Sequence, residues 1–173
     1  MVHTLQRVAL GALLLLTVFG NAGATTPVAT PDGYAHPDWL VDPAWLAEHR
    51  DDQSLAVVAL TPEGDFAAGH IPGAAQVDWP DLARSESAQI GDWRTQMESL
   101  LTALGVERSN TVVIYDGGTV YAPRLWWILY QLGHEDIRIL NGGFPAWTAA
   151  GLPVATGEVT PAAASQPYVG MPN

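Results

Sequence analysis

The chain has 173 residues, 48% hydrophobic and 14% charged, which suits one globular domain, since a chain of about 150 residues buries about 70% of the surface its unfolded form exposes. Its formal charge is −11, and all seven basic residues are arginines, which excludes Schiff-base and P-loop chemistry and argues against nucleic acid or an anionic membrane surface as a partner. With no cysteine in the sequence, neither a disulfide nor a thiol nucleophile is available.

Residues 1–24 have the pattern of a secretory signal peptide. His3 and Arg7 flank the start, Val8 to Gly20 is apolar apart from one Thr, and Ala22-Gly23-Ala24 offers a cleavage site. The apolar run is shorter than the roughly 20 residues that span a bilayer, and no cysteine follows it to carry a lipid. The expectation is an exported protein, periplasmic or secreted, without a membrane contact after cleavage and one unit more negative once Arg7 leaves. Residues 25–38 form a flexible leader rich in Thr, Pro and Ala.

The folded domain is expected over residues 39–155. Trp39-Leu40-Val41 forms a short edge strand, then Asp42 caps and Pro43 opens a helix to about Arg50. Leu55 to Leu60, Thr111 to Tyr115 and Ile137 to Leu140 are apolar runs without polar alternation, the mark of strands covered on both faces. Pro62 to Gly69 is a short helix. Ala75 to Trp79 is extended, and Asp81 to Gly91 has no clear period. Trp93, Met97, Leu100, Leu101 and Leu104 recur at helical spacing up to Gly105. A strongly apolar helix runs from Ala122-Pro123 to Gly133, and a shorter one from Phe144 to Ala150. Leu152-Pro153-Val154 is expected at the sheet edge, and residues 156–173 form a linker-like tail. Strands alternating with helices predict an α/β fold, a mainly parallel central sheet with helices on both faces, whose ligands sit at the carboxyl ends of the strands.

Asp116, Gly117, Gly118, Thr119, Val120 and Tyr121 connect a buried strand to a helix N-terminus, where free N–H groups and the helix dipole favour an anion. Asp116 itself is expected to accept hydrogen bonds from Gly118 or Thr119 and hold the loop shut. Arg124, in the first turn after the loop, is expected to pair with Asp116 or to bind a partner's carboxylate. An Asp followed by Gly-Gly-Thr-Val invites comparison with haloacid-dehalogenase-type phosphatases. That comparison fails because position 118 is Gly, the Thr falls one residue early and there is no Lys. His36, His49, His70 and His134 show no metal-ligand spacing, so neither a metal nor a cofactor is assigned. His70 is expected to serve packing and hydrogen bonding, and the seven tryptophans to fill core or interface.

The stretch Phe66-Ala-Ala-Gly-His-Ile-Pro-Gly-Ala74 resembles the first signature of rhodanese-like sulfurtransferase domains. Thr111-Val-Val-Ile-Tyr115, Arg124-Leu-Trp-Trp127, Leu132-Gly-His-Glu-Asp136 and Asn141-Gly-Gly-Phe-Pro-Ala-Trp147 through Pro153 are similar to that family in order and spacing. Arg-Leu-Trp-Trp with Trp39 and Trp45 resembles the non-catalytic N-terminal half of tandem thiosulfate or 3-mercaptopyruvate sulfurtransferases. The resemblance implies a persulfide-forming cysteine at the position of Asp116, hence a catalytically silent domain acting as the structural or binding half of a sulfurtransferase system. A cysteine-bearing rhodanese domain or other protein would then be the partner, met by the Trp-rich surface. The alternative is an exported module that binds a small anion or a protein with no role in sulfur transfer. The sequence departs from the family at Ala59-Leu60-Thr61, where Asp-x-Arg is usual, and at Leu140, Asn141 and Ala146, where an aromatic, an acidic residue and Glu are commoner.

Overall fold

The computed structural model describes residues 35–83 and 89–171; the expected signal peptide and all but the end of the leader lie outside them. Five parallel strands in the order β1-β5-β4-β2-β3 form one sheet. They are β1 (Leu40–Val41), β2 (Leu55–Leu60), β3 (Ala75–Val77), β4 (Thr111–Asp116) and β5 (Ile137–Leu140). The helices are α1 (Pro43–His49), α2 (Glu63–Ala68), α3 (Ile90–Ala103), α4 (Ala122–Gln131) and α5 (Gly143–Ala149).

Side chains of successive strand residues leave opposite faces of a sheet, and the two apolar layers follow that alternation. Val58, Leu60, Val112 and Ile114 pack with Met97 and Leu101 of α3 and Leu125, Ile128 and Leu129 of α4. Val57, Ala59, Val113 and Tyr115 pack with Leu46 of α1, Phe66 of α2 and Trp147 of α5. Burial on both faces explains why β2 and β4 read as unbroken apolar runs. Asp42 caps α1 by accepting a hydrogen bond from Trp45 N at 2.7 Å, with Pro43 at the first helical position. Leu60 pairs with Asp116, which aligns the carboxyl ends of the two central strands.

Three local expectations differ from the structure. Leu152-Pro153-Val154 does not join the sheet edge: Pro153 has no N–H for a ladder, and its carbonyl instead accepts from Trp147 Nε1 at 2.8 Å. The pairing that does form is one residue later, an antiparallel bridge between Ala155 and His70. Trp79 does not extend β3; Asp78 caps a 3-10 turn over Trp79–Leu82, where Pro80 interrupts the ladder.

The third difference is the tail. Its Ala, Pro and Ser composition suggests a linker, yet the described part is docked against α3 and α4. Ala164 N donates to Thr102 O, Tyr168 N to Thr102 Oγ1, Gly170 N to Glu98 Oε1 and Met171 N to Leu132 O. Tyr168 is only 3% exposed, and its hydroxyl lies 3.0 Å from His134 Nδ1. His134 Nε2 donates to Asn110 O at 2.9 Å, so Nδ1 accepts from the tyrosine. Gly133 makes this docking possible: its φ is +70, and a Cβ there would collide with Met171 O.

Candidate functional site

β4 ends in Asp116, and the chain must turn from there into α4. A helix start leaves N–H groups without intrahelical acceptors; here the Asp116 carboxylate takes them. Gly118 N and Thr119 N donate to Oδ1 at 2.9 and 3.0 Å. Thr119 Oγ1 donates to Oδ2 at 2.9 Å, and Tyr121 N and Ala122 N donate to the same oxygen at 3.0 Å each. Asp116 is 5% exposed. Burial alone raises its pKa, but the donors of Ala122, Thr119 and Gly118 outweigh burial and hold it below the ordinary aspartate value. The loop is therefore an anion cradle whose anion is built into the chain, and the expected closing role of Asp116 involves more donors than Gly118 and Thr119 alone.

A residue outside the loop sets its shape. Gly143, the second of two consecutive glycines with positive φ, packs so closely that a Cβ would lie 2.6 Å from Asp116 O and 3.2 Å from Gly118 N. The Asn141-Gly-Gly turn is visible in sequence. Its contact with a loop much earlier in the chain arises because β4 and β5 pair side by side, which brings the connections at their carboxyl ends together.

The remaining loop residues face outward. Gly117 makes no hydrogen bond to the carboxylate, Val120 is 80% exposed, and the exposed Tyr121 ring packs against Trp79 at 4.9 Å. Arg124 does not pair with Asp116, because backbone and hydroxyl donors already surround that carboxylate. Its guanidinium instead lies over the rings of Trp127 and Trp93, at 5.0 and 5.9 Å. Of the candidate binding residues, the structure brings Asp116, Gly118, Thr119 and Tyr121 together and sets Gly117, Val120 and Arg124 around the rim.

His70 is buried in the turn after α2. Its Nδ1 donates to Phe66 O at 2.9 Å and its ring stacks on Phe66 at 3.9 Å, the packing role expected of it. Beside it, the Tyr115 hydroxyl accepts a hydrogen bond from Ile71 N at 3.1 Å. Burial pushes that hydroxyl's pKa up to about 12, although the bond from Ile71 opposes the rise. Among the described residues, no cluster of three or more His, Asp or Glu is placed to hold a metal, and no helix is long and apolar enough to cross a membrane.

The five-stranded parallel sheet and the loop at Asp116 lie within residues 42–150 apart from β1, and this range matches the model of the rhodanese-like domain. The chain belongs to the rhodanese-like family. This rhodanese-like domain is 32% identical over 126 residues to a sulfur carrier protein of Thermus thermophilus, covering 72% of this chain and 44% of that protein. It is 34% identical over 126 residues to a thiosulfate sulfurtransferase of Corynebacterium glutamicum, covering 71% and 42%. The chain thus spans less than half the length of these relatives. The solved structure of SseA from Escherichia coli, described as a 3-mercaptopyruvate sulfotransferase, superposes with a TM-score of 0.69 at 27% identity, covering 78% of this chain and 57% of that one.

At the end of β2, Gln76 Nε2 donates to Thr61 O at 2.7 Å, and Thr61 N donates to Val77 O at 3.1 Å, so β3 braces the strand end.

Proposed function

We propose that this chain is an exported, catalytically silent rhodanese-like domain that serves as the structural or binding half of a sulfurtransferase system whose cysteine is carried by a partner. The observation that carries the reading is the Asp116 carboxylate with five hydrogen bonds to it in the anion cradle. Persulfide transfer from thiosulfate requires a thiolate that forms a new sulfur–sulfur bond while the donor's own breaks and sulfite leaves. A carboxylate forms no such bond, and its fixed charge repels an approaching anion. The relatives' sulfurtransferase and sulfur-carrier activities, together with the greater length of those proteins, support a role in the same chemistry. The signal-like residues 1–24 support export.

The test is a pair of assays, thiosulfate to cyanide and 3-mercaptopyruvate to thiol, on the folded mature protein and its Asp116→Cys variant. The native protein is expected to show no turnover, and the variant to gain a persulfide detectable by mass spectrometry; turnover by the native protein overturns the reading. The anion-binding alternative requires Asp116 to leave the cradle. Titration calorimetry with thiosulfate, sulfite or phosphate is accordingly expected to give no binding heat, and a saturable heat lost on mutation of the loop favours the alternative.

A further inference from the structure

Four aromatic rings run in a row where the residues before β1 meet the last turns of α4. His36 stacks on Trp39 at 4.0 Å, Trp39 leans on Trp126 at 4.5 Å with 46° between the ring planes, and Trp126 stacks on Tyr130 at 5.3 Å. Positions 126 and 130 share one face of the helix because they are four residues apart. Trp126 Nε1 fixes its ring by donating to Ile137 O at 3.1 Å. Large aromatics are mostly covered in a folded domain, yet Trp39 is 37% and Tyr130 43% exposed. Both border a cleft of about 250 Å³ that Trp126, His134, Glu135 and Ile137 also line.

The electrostatics of this cleft have one sign. Ring faces carry the negative part of the aromatic quadrupole. The C-terminal end of α4, where the helix dipole is negative, reaches the cleft through Tyr130. Glu135 is exposed and makes no ion pair among the described residues. His134, the basic side chain of the lining, is buried with both ring nitrogens engaged, by Tyr168 and by Asn110. Arg108 donates to the carbonyls of Leu132 and Gly133 and lies over the Tyr168 ring, and it is not among the lining residues.

Size and chemistry narrow the occupant. Sites for drug-sized ligands measure about 300–1,000 Å³, so this cleft suits a smaller one. A hard metal ion needs several oxygen ligands, and Glu135 is the one carboxylate of the lining. Aromatic faces instead attract weakly hydrated organic cations, and quaternary ammonium groups are the usual match.

We propose that the cleft formed by Trp39, Trp126 and Tyr130 binds a small quaternary ammonium compound. Its trimethylammonium head lies against the exposed ring faces, and Glu135 supplies the counter-charge. The site sits at the amino end of β5, whereas Asp116 ends β4 at the carboxyl end of the same parallel sheet, so it stands apart from the sulfurtransferase reading.

A nuclear magnetic resonance titration of the mature protein with choline chloride tests this. The control is choline's uncharged carbon isostere, in which a tert-butyl group replaces trimethylammonium. Choline is expected to move the Trp39 and Trp126 indole N–H signals saturably, with a dissociation constant of about 1 mM or lower, and the isostere to bind about tenfold or more weakly. Trp39→Ala should weaken choline binding by about tenfold and Trp39→Phe by less. Tyr130→Ala, at an exposed position, should weaken it several-fold, and Glu135→Gln should do so at low salt. Unchanged amide signals from the central strands identify the variants that remain folded. Equal affinity for choline and its isostere, no saturable shift with choline, or choline binding indifferent to Trp39→Ala and Tyr130→Ala overturns the proposal. Sedimentation with phosphatidylcholine vesicles while free choline leaves both indole signals in place also overturns it, because the head group is then read on a membrane lipid. None of these results bears on Asp116.

Discussion

Asp116→Ala is expected to lower the unfolding free energy by about 3 kcal/mol, measured by urea denaturation of the mature protein. The carboxylate accepts five hydrogen bonds, and bonds to a charged group contribute roughly 1.5–3 kcal/mol each when a single partner is removed. Simple addition overstates the loss, because Gly117, Val120 and Tyr121 are exposed and water reaches part of the opened cradle. Asp116→Asn keeps one acceptor oxygen and should fall between alanine and the native residue. A loss below about 1 kcal/mol for alanine shows that the loop holds its shape without the carboxylate. The pH dependence has a definite sign. The folded pKa of Asp116 is depressed, so its contribution is fully present above the unfolded aspartate value and is lost as pH falls through the folded one. That part of the acid sensitivity should disappear in Asp116→Asn.

Tyr168→Ala is expected to cost about 3 kcal/mol, within the range for removing a buried aromatic side chain. A free linker residue would cost close to nothing, so the measurement separates a docked tail from a loose one. The ring belongs to the apolar layer that includes Leu101, Val106 and Leu132, and the hydroxyl donates to His134 Nδ1. Tyr168→Phe keeps the ring and loses only that bond, for about 1 kcal/mol. Burial lowers the pKa of His134, and the charge of Arg108 adds to the effect, although Asn110, Asp136 and Glu135 pull the other way. A histidine held neutral in the fold contributes stability that is complete above its unfolded pKa and declines as pH falls from there through the folded value. The native protein should therefore lose stability in two steps on acidification, the first below about pH 6.5 from His134 and the second below about pH 4 from Asp116. Tyr168→Ala uncovers His134 and should flatten the first step.

The strands and helices of the described residues were legible because each rests on local signals that the tertiary structure reinforces. Apolar runs at β2 and β4 are long enough to be strands and too unpatterned to be half-exposed, and β5 is apolar apart from Arg138. Asp42-Pro43 and Gly105 mark helix ends through side-chain capping and a left-handed turn. The role of Asp116 was partly legible for the same reason, since an Asp two and three residues before free N–H groups can satisfy them without help from the rest of the fold. Its further donors, Tyr121 N and Ala122 N, depend on the angle at which α4 leaves the loop, and no local pattern specifies that angle.

What the sequence alone determined was the family, the order of the elements and the absence of a thiol at the loop, all of which reside in residue identity and spacing. Tertiary structure decided the rest. Arg124 turned from Asp116 to Trp93 because α3 and α4 lie side by side, a proximity encoded only in the packing of the sheet layer beneath them. The tail became part of the domain because Gly133 leaves room for Met171 and because His134 and Tyr168 complete each other's hydrogen bonding. Composition assigns Ala, Pro and Ser to linkers on average; a few buried contacts outweigh that average when they satisfy polar groups and cover apolar surface at once.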